Sequence, residues 1–183
     1  MAKLKLAVVV GSNRRDSINR KLAQAIAKLG EGTFEPAFVQ IDDIPMYNQD
    51  LEANWPEPAA RLKRDIEAAD AILIVTPEHN RAIPAVLKNA IDWASRPYGK
   101  NSWGGKPVAV TGTSAGGVGT AVAQQQLRTI MTNLAGVVAG GQVFITFKDG
   151  LIDDAHEVTN EGTRAFLQGF IDQFAEVARK LAA

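Results

Sequence analysis

"KLKLAVVVGSNRRDSINRKLA", residues 3 to 23, decides the fold. A valine-rich apolar run stops at Gly11, a polar loop follows, and from Ile18 onward apolar residues recur at Leu22, Ile26 and Leu29. A continuous apolar run of this length suits a strand covered on both faces, and the later spacing is helical. The same alternation repeats along the chain. Strands are expected at 3–10, 37–41, 70–76 and 106–112, and a fifth at 141–147 after Gly140. Leu62, Ile66 and Ala69 mark another helix, and Phe166, Phe170, Phe174, Val177 and Leu181 mark the last one as a core-packing stripe. Strand and helix in alternation predict an α/β domain with a parallel sheet, and right-handed crossovers put helices on both of its faces. With no linker, repeat or low-complexity segment, residues 1–183 are expected to form a single domain.

Composition removes several classes of function. Twenty basic residues balance twenty acidic ones, so no net field draws the chain to nucleic acid or to an anionic membrane. No run approaches the roughly 18 apolar residues of a membrane span, and the apolar segment near the N-terminus is too short for a signal peptide. A cytoplasmic location is the expectation. There is no cysteine, which excludes disulfides, thiolate nucleophiles and iron–sulfur centres. His79 and His156 stand far apart and outside any metal-ligand spacing, so no metal site is expected. Redox chemistry, if present, comes from a bound cofactor.

Three loops leave strand ends with unusual composition. In the first, residues 11 to 23, Gly11 permits a sharp turn, while Ser12, Ser17 and Asn19 surround the start of a helix, with Arg14 and Arg15 beside them. Amides and the dipole at a helix start attract an anion. A helix cap by Asp16 or Ser17 with two solvated arginines explains the same residues without a ligand. The motif is neither a P-loop nor a dinucleotide fingerprint. In the second, "TPEHNRAIP" (76–84), Pro77 ends the strand and Pro84 suits the first turn of a helix, leaving Glu78, His79 and Asn80 in an exposed loop. The third, "TGTSAGGVGTAVAQQQL" (111–127), turns through Ser114, Gly116 and Gly117 into a long helix. It carries no charged side chain between Thr111 and Gln126, which predicts a helix start free of any opposing carboxylate. If the strand order is 2-1-3-4-5, the three loops meet at one sheet edge, where that order places a mononucleotide.

The three motifs in order, "GSNRRDSINRKLA", "TPEHNRAIPAVLKNAIDWASRP" and "GTSAGGVG", resemble the NADPH-dependent FMN reductase family of flavodoxin-like proteins, and most closely its bacterial quinone and chromate reductases. The resemblance spans the first strand to about residue 147. It implies a flavodoxin-like three-layer sandwich with FMN bound and NADPH or NADH as donor. Reaction would be ping-pong hydride transfer to quinones, chromate, azo compounds or flavins. Ser12, Arg14, Ser17 and Asn19 would hold the phosphate. Pro77, Glu78, His79 and Asn80 would line the ring edge, and Ser114, Gly116 and Gly117 the other end of the ring. Arg96 would face substrate or nicotinamide, or else form a salt bridge at a helix end, no catalytic side chain being required beyond the flavin. The family usually carries an aromatic residue where this chain has His79. The resemblance further implies a homodimer or homotetramer, with residues 45–52 near a partner's pocket; an exposed Trp55 or Trp103 would be compatible with such an assembly. The rival reading is a flavodoxin-type electron carrier with no substrate of its own. Such carriers are strongly acidic, unlike this charge-balanced chain.

Overall fold

The computed structural model describes residues 2–182. Strand β1 (Leu4–Val10) leads to α1 (Ile18–Leu29) and β2 (Phe34–Val39); α2 (Glu57–Glu67), β3 (Ala71–Val75), α3 (Ala85–Ala94) and β4 (Pro107–Ser114) follow. Then come α4 (Ala121–Asn133), the short strands β5 (Val137–Ala139) and β6 (Phe144–Thr146), and α5 (Glu161–Ala182). The sheet runs in the order β2-β1-β3-β4-β5, with every pairing parallel. This is the order under which the three loops meet at one edge.

Side-chain alternation along the central strands divides the interior in two. Leu6, Val8 and Val10 of β1, with Leu73 and Val75 of β3, face α1 and α5. Their neighbours Ala7, Val9, Ile72 and Ile74 face α2, α3 and α4. Both faces of β1, β3 and β4 are thus buried, which is why these strands read as unbroken apolar runs rather than alternating ones. Each large side chain fully buried there contributes about 1.5–3 kcal/mol. Among the described residues no helix is long and apolar enough to cross a membrane.

Three expectations need correction. The second strand starts at Phe34, not at residue 37, and runs through Pro36. β2 is an edge strand, where a residue lacking an N–H interrupts nothing on its open side. The fifth strand is not continuous over 141–147. Its place beside β4 is shared: β5 pairs with Pro107–Ala109 and β6 with Gly112–Ser114. Between them Gly140 takes φ 75°, and the Phe170 ring packs 3.0 Å from where a Cβ would stand, so the chain leaves the ladder there. On α5 the buried stripe is Leu167, Phe170, Ile171, Phe174, Ala175 and Ala178. Phe166 and Leu181 lie off it and are half exposed, at 51% and 49%.

Gly112 marks the point where β4 turns from core strand to site support. A methyl group there would overlap the carbonyl oxygen of Thr76 and the Thr120 hydroxyl. Neither can retreat, because Thr76 is bonded through its N–H to Thr111 and Thr120 is fully buried. Gly112→Ala should therefore lower the unfolding free energy by about 3 kcal/mol, read from the midpoint of denaturant unfolding.

Candidate active site

The strand order reverses between β1 and β3, and the loops after β1, β3 and β4 all emerge at the carboxyl edge around that point. Direct bonds tie them together. Gly11 N–H donates to Val75 O at 2.9 Å, and Thr76 N–H to Thr111 O at 2.9 Å. A side chain on Gly11 would press on Leu87 and the Thr76 hydroxyl, both 3.0 Å from the Cβ position, so glycine lets the first loop lie this close to the second without displacing either.

In the first loop Ser17 is the N-cap of α1, its Oγ accepting from Arg20 N–H at 3.2 Å, while Ser12 Oγ accepts from Arg14 N–H at 3.4 Å. Arg14 and Arg15 are exposed. Among the described residues no protein group accepts from the amides of Arg15, Asp16, Ser17, Ile18 or Asn19, and α1 has no acidic residue in its first turn. The Asn19 side chain is placed differently from Ser12 and Arg14. It is buried and lies against β4, donating Nδ2–H to Thr113 O and accepting Thr113 N–H at Oδ1, both at 2.9 Å.

The second loop is a two-residue hairpin. His79 and Ala82 exchange both backbone hydrogen bonds, at 3.0 and 2.9 Å, and between them Asn80 and Arg81 take φ 51° and 63°. Two successive left-handed residues make a type I′ turn; Asn tolerates it, whereas Arg81 carries a cost of about 1–2 kcal/mol. His79, Asn80 and Arg81 are exposed. Glu78 is not: its side chain is 8% exposed and reaches across to the third loop. There Oε2 accepts from Val122 N–H at 3.0 Å and Ala123 N–H at 3.1 Å, and Oε1 meets Arg81 Nη1 at 3.1 Å. The expected absence of a carboxylate at the start of α4 is therefore overturned. The charge comes from a loop 44 residues away in sequence, where inspection of 111–127 alone cannot find it. Gln126 adds a second tie, its Oε1 accepting Ile83 N–H at 2.9 Å.

In the third loop Ser114 staples the turn, donating Oγ–H to Gly119 O at 2.8 Å and accepting Gly116 N–H at 3.2 Å. Gly116 and Gly117 are exposed. A Cβ on Gly117 would meet nothing within 4 Å, and one on Gly116 only the Ser114 hydroxyl at 3.7 Å, so open space lies above this turn.

Arg96 is not brought to these loops within one chain. It follows the C-cap of the ten-residue helix α3, about 15 Å along the axis from Pro84. Its guanidinium lies 5.5 Å from the centre of the Tyr47 ring, and its Nε is 4.0 Å from Glu52 Oε1. Tyr47 donates its hydroxyl to the same carboxylate oxygen at 2.7 Å, a bond that raises the phenol above its usual pKa. Trp55 is half-buried against Trp93, and Trp103, which could support an assembly only if exposed, is fully buried. Its indole instead donates to Ile91 O at 3.2 Å, closing the interior beneath α3.

Two helix starts thus face one sheet edge in opposite electrostatic states. That of α4 holds a carboxylate, whereas that of α1, with Arg20 N–H capped by Ser17, leaves the amides from Arg15 to Asn19 free beside two exposed arginines and suits a phosphate. An open-topped glycine turn and a hairpin flank the space beyond. This donor set fits a flavin mononucleotide.

The architecture and this edge define a flavodoxin-like α/β protein with a mononucleotide site. Residues 4–150 match the model of the NADPH-dependent FMN reductase family, and the chain belongs to that family. With membership goes an oxidoreductase activity that uses FMN and a nicotinamide donor. A 2-hydroxy-1,4-benzoquinone reductase of Burkholderia sp. is 48% identical over 177 residues, covering 96% of this chain and 97% of the relative. A quinone reductase of Escherichia coli K12 is 34% identical, covering 98% and 97%. Among solved structures, FerB, a flavoenzyme NAD(P)H:(acceptor) oxidoreductase from Paracoccus denitrificans, superposes with a TM-score of 0.94 at 46% identity, covering 97% of this chain and 98% of that one.

Removing the Asn19 amide would strand a buried donor and a buried acceptor on Thr113. Asn19→Ala should lower the stability of FMN-free protein by about 3 kcal/mol, and Ser17→Ala, which loses only a cap, by about 1 kcal/mol. Denaturant unfolding of the two variants side by side checks the contrast.

Proposed function

We propose that the chain is an NAD(P)H:quinone oxidoreductase whose FMN phosphate sits at the start of α1. The observation that carries this is the free helix start of α1, beside loops bonded to one another, when the neighbouring helix start is already filled by Glu78. Arg14 supplies charge from the exposed side of the loop, Ser12 and Ser17 supply hydroxyls, and Asn19 contributes its main-chain N–H, because its side chain is committed to Thr113. Pro77, Glu78, His79 and Asn80 hold one edge of the ring, largely through backbone, and Ser114, Gly116 and Gly117 the other end. Bound FMN supplies the two-electron hydride chemistry itself. The protein binds and orients it and leaves one face open, where NAD(P)H and then the acceptor take turns in a ping-pong cycle. An opening with few side-chain donors accommodates quinones foremost, and chromate, azo compounds and free flavins as further acceptors.

The whole chain acts as one cytoplasmic FMN-binding domain that assembles as a homodimer or homotetramer. Exposed Met46 (72%) and Tyr98 (93%), on either side of the Arg96–Tyr47–Glu52 cluster in sequence, support an assembly surface there. In such an assembly Arg96 would serve an acceptor or nicotinamide at a partner's site, since its own site lies a helix length away.

The test is anaerobic stopped-flow mixing of FMN-loaded protein with NADPH and with NADH, followed by a benzoquinone. Flavin absorbance should bleach and then return, with parallel double-reciprocal plots in the steady state. A flavin that stays oxidised with either donor would leave the electron-carrier reading instead. Arg14→Ala should weaken FMN binding about tenfold, as expected for a charge-assisted contact on a phosphate, in a fluorescence titration.

A further inference from the structure

Glu78 carries a role that helix capping alone does not explain. Thr120, the N-cap residue of α4, makes no cap bond; its Oγ1 accepts Gln124 Nε2–H at 3.0 Å instead. The capping falls to a carboxylate from another loop, although an uncharged side chain would satisfy the same amides. That carboxylate is nearly buried, and the cation paired with it, Arg81, is 69% exposed and therefore well screened by water. The residues between Thr111 and Gln126 carry no charge of their own. The charge that reaches this helix start through hydrogen bonds is consequently negative, set against the positive end of the dipole. The same side chain grips the strained hairpin through Arg81, so one residue fixes the second loop to the third and sets their field.

We propose that Glu78 is a positioning residue that clamps the 78–82 hairpin to α4 and, by neutralising that helix start, weakens the site's hold on reduced relative to oxidised FMN. This rests on the FMN reading above. Two-electron reduction places additional negative charge on the ring, and a bare helix start at its flank would stabilise it. With Glu78 in place that stabilisation is withheld, and reduced flavin gives up its electrons more readily. Arg81 acts with the opposite sign, because it offsets part of the carboxylate's charge.

The test is anaerobic titration of wild-type protein, Glu78→Gln and Arg81→Gln with FMN and with dithionite-reduced FMN. In E78Q, which keeps an oxygen for the α4 amides, the affinity ratio of reduced to oxidised FMN should rise about tenfold, equivalent to about 30 mV for a two-electron couple. In R81Q the ratio should fall, by about two- to threefold. A purely structural clamp would move both variants the same way, and that result, or an unchanged ratio in E78Q, overturns the proposal. If E78Q does not fold, the sign of the R81Q shift decides alone. Wild-type protein that binds neither form of FMN would instead refute the cofactor assignment, an outcome distinct from wild-type binding with an unchanged ratio.

Discussion

The paired hydrogen bonds between the Asn19 amide and the Thr113 backbone hold the functional edge together. β4 extends past the core to Ser114, and at Thr113 its backbone must be satisfied by something other than β3, whose ladder with β4 ends at Thr111. On one side β6 takes up the pairing; on the other the side chain of Asn19 does, in the manner of one more strand residue. The first turn of α1 is thereby fixed to the strand that launches the third loop. A buried pair with both polar ends satisfied leaves little room for sliding.

Around this joint the remaining parts follow from close approach. Gly11 and Gly112 are places where one loop or strand must pass another without a side chain between them. Glu78 and Gln126 then draw the hairpin down onto α4. Each tie joins residues far apart in sequence, so the edge depends on the assembled sheet. Its rigidity belongs to the tertiary structure rather than to any one loop.

That distinction explains what could be read in advance. β1, β3 and β4 announced themselves because burial on both faces makes them continuously apolar, and their loops because glycine, serine and proline cluster where strands end. The order of the sheet stood only as the condition under which those loops meet, because no single residue encodes which strands are neighbours. Glu78 was visible as a residue but not as the cap of α4, for no local signal links a carboxylate to amides 44 residues on. Asn19 read as a loop donor for the same reason: its partner, Thr113, is 94 residues away. The break at Gly140 has no local signal, because paired glycines also suit a lead-in to a strand, whereas the contact that leaves no room for a Cβ there comes from Phe170 on α5. Trp103 sits in a segment with no regular pattern, and only the packing beneath α3 shows why it is buried.

Pro36 has a bearing on how such molecules can meet. It lies in β2, the outermost strand on one side of the sheet, where an incoming strand would look for a row of N–H donors. A proline, with the exposed charge of Glu35 beside it, spoils that row. The opposite rim is divided between β5 and β6 and bends away at Gly140. Neither border of the sheet presents a long, regular template for strand addition, so recruitment into fibrils through either is disfavoured.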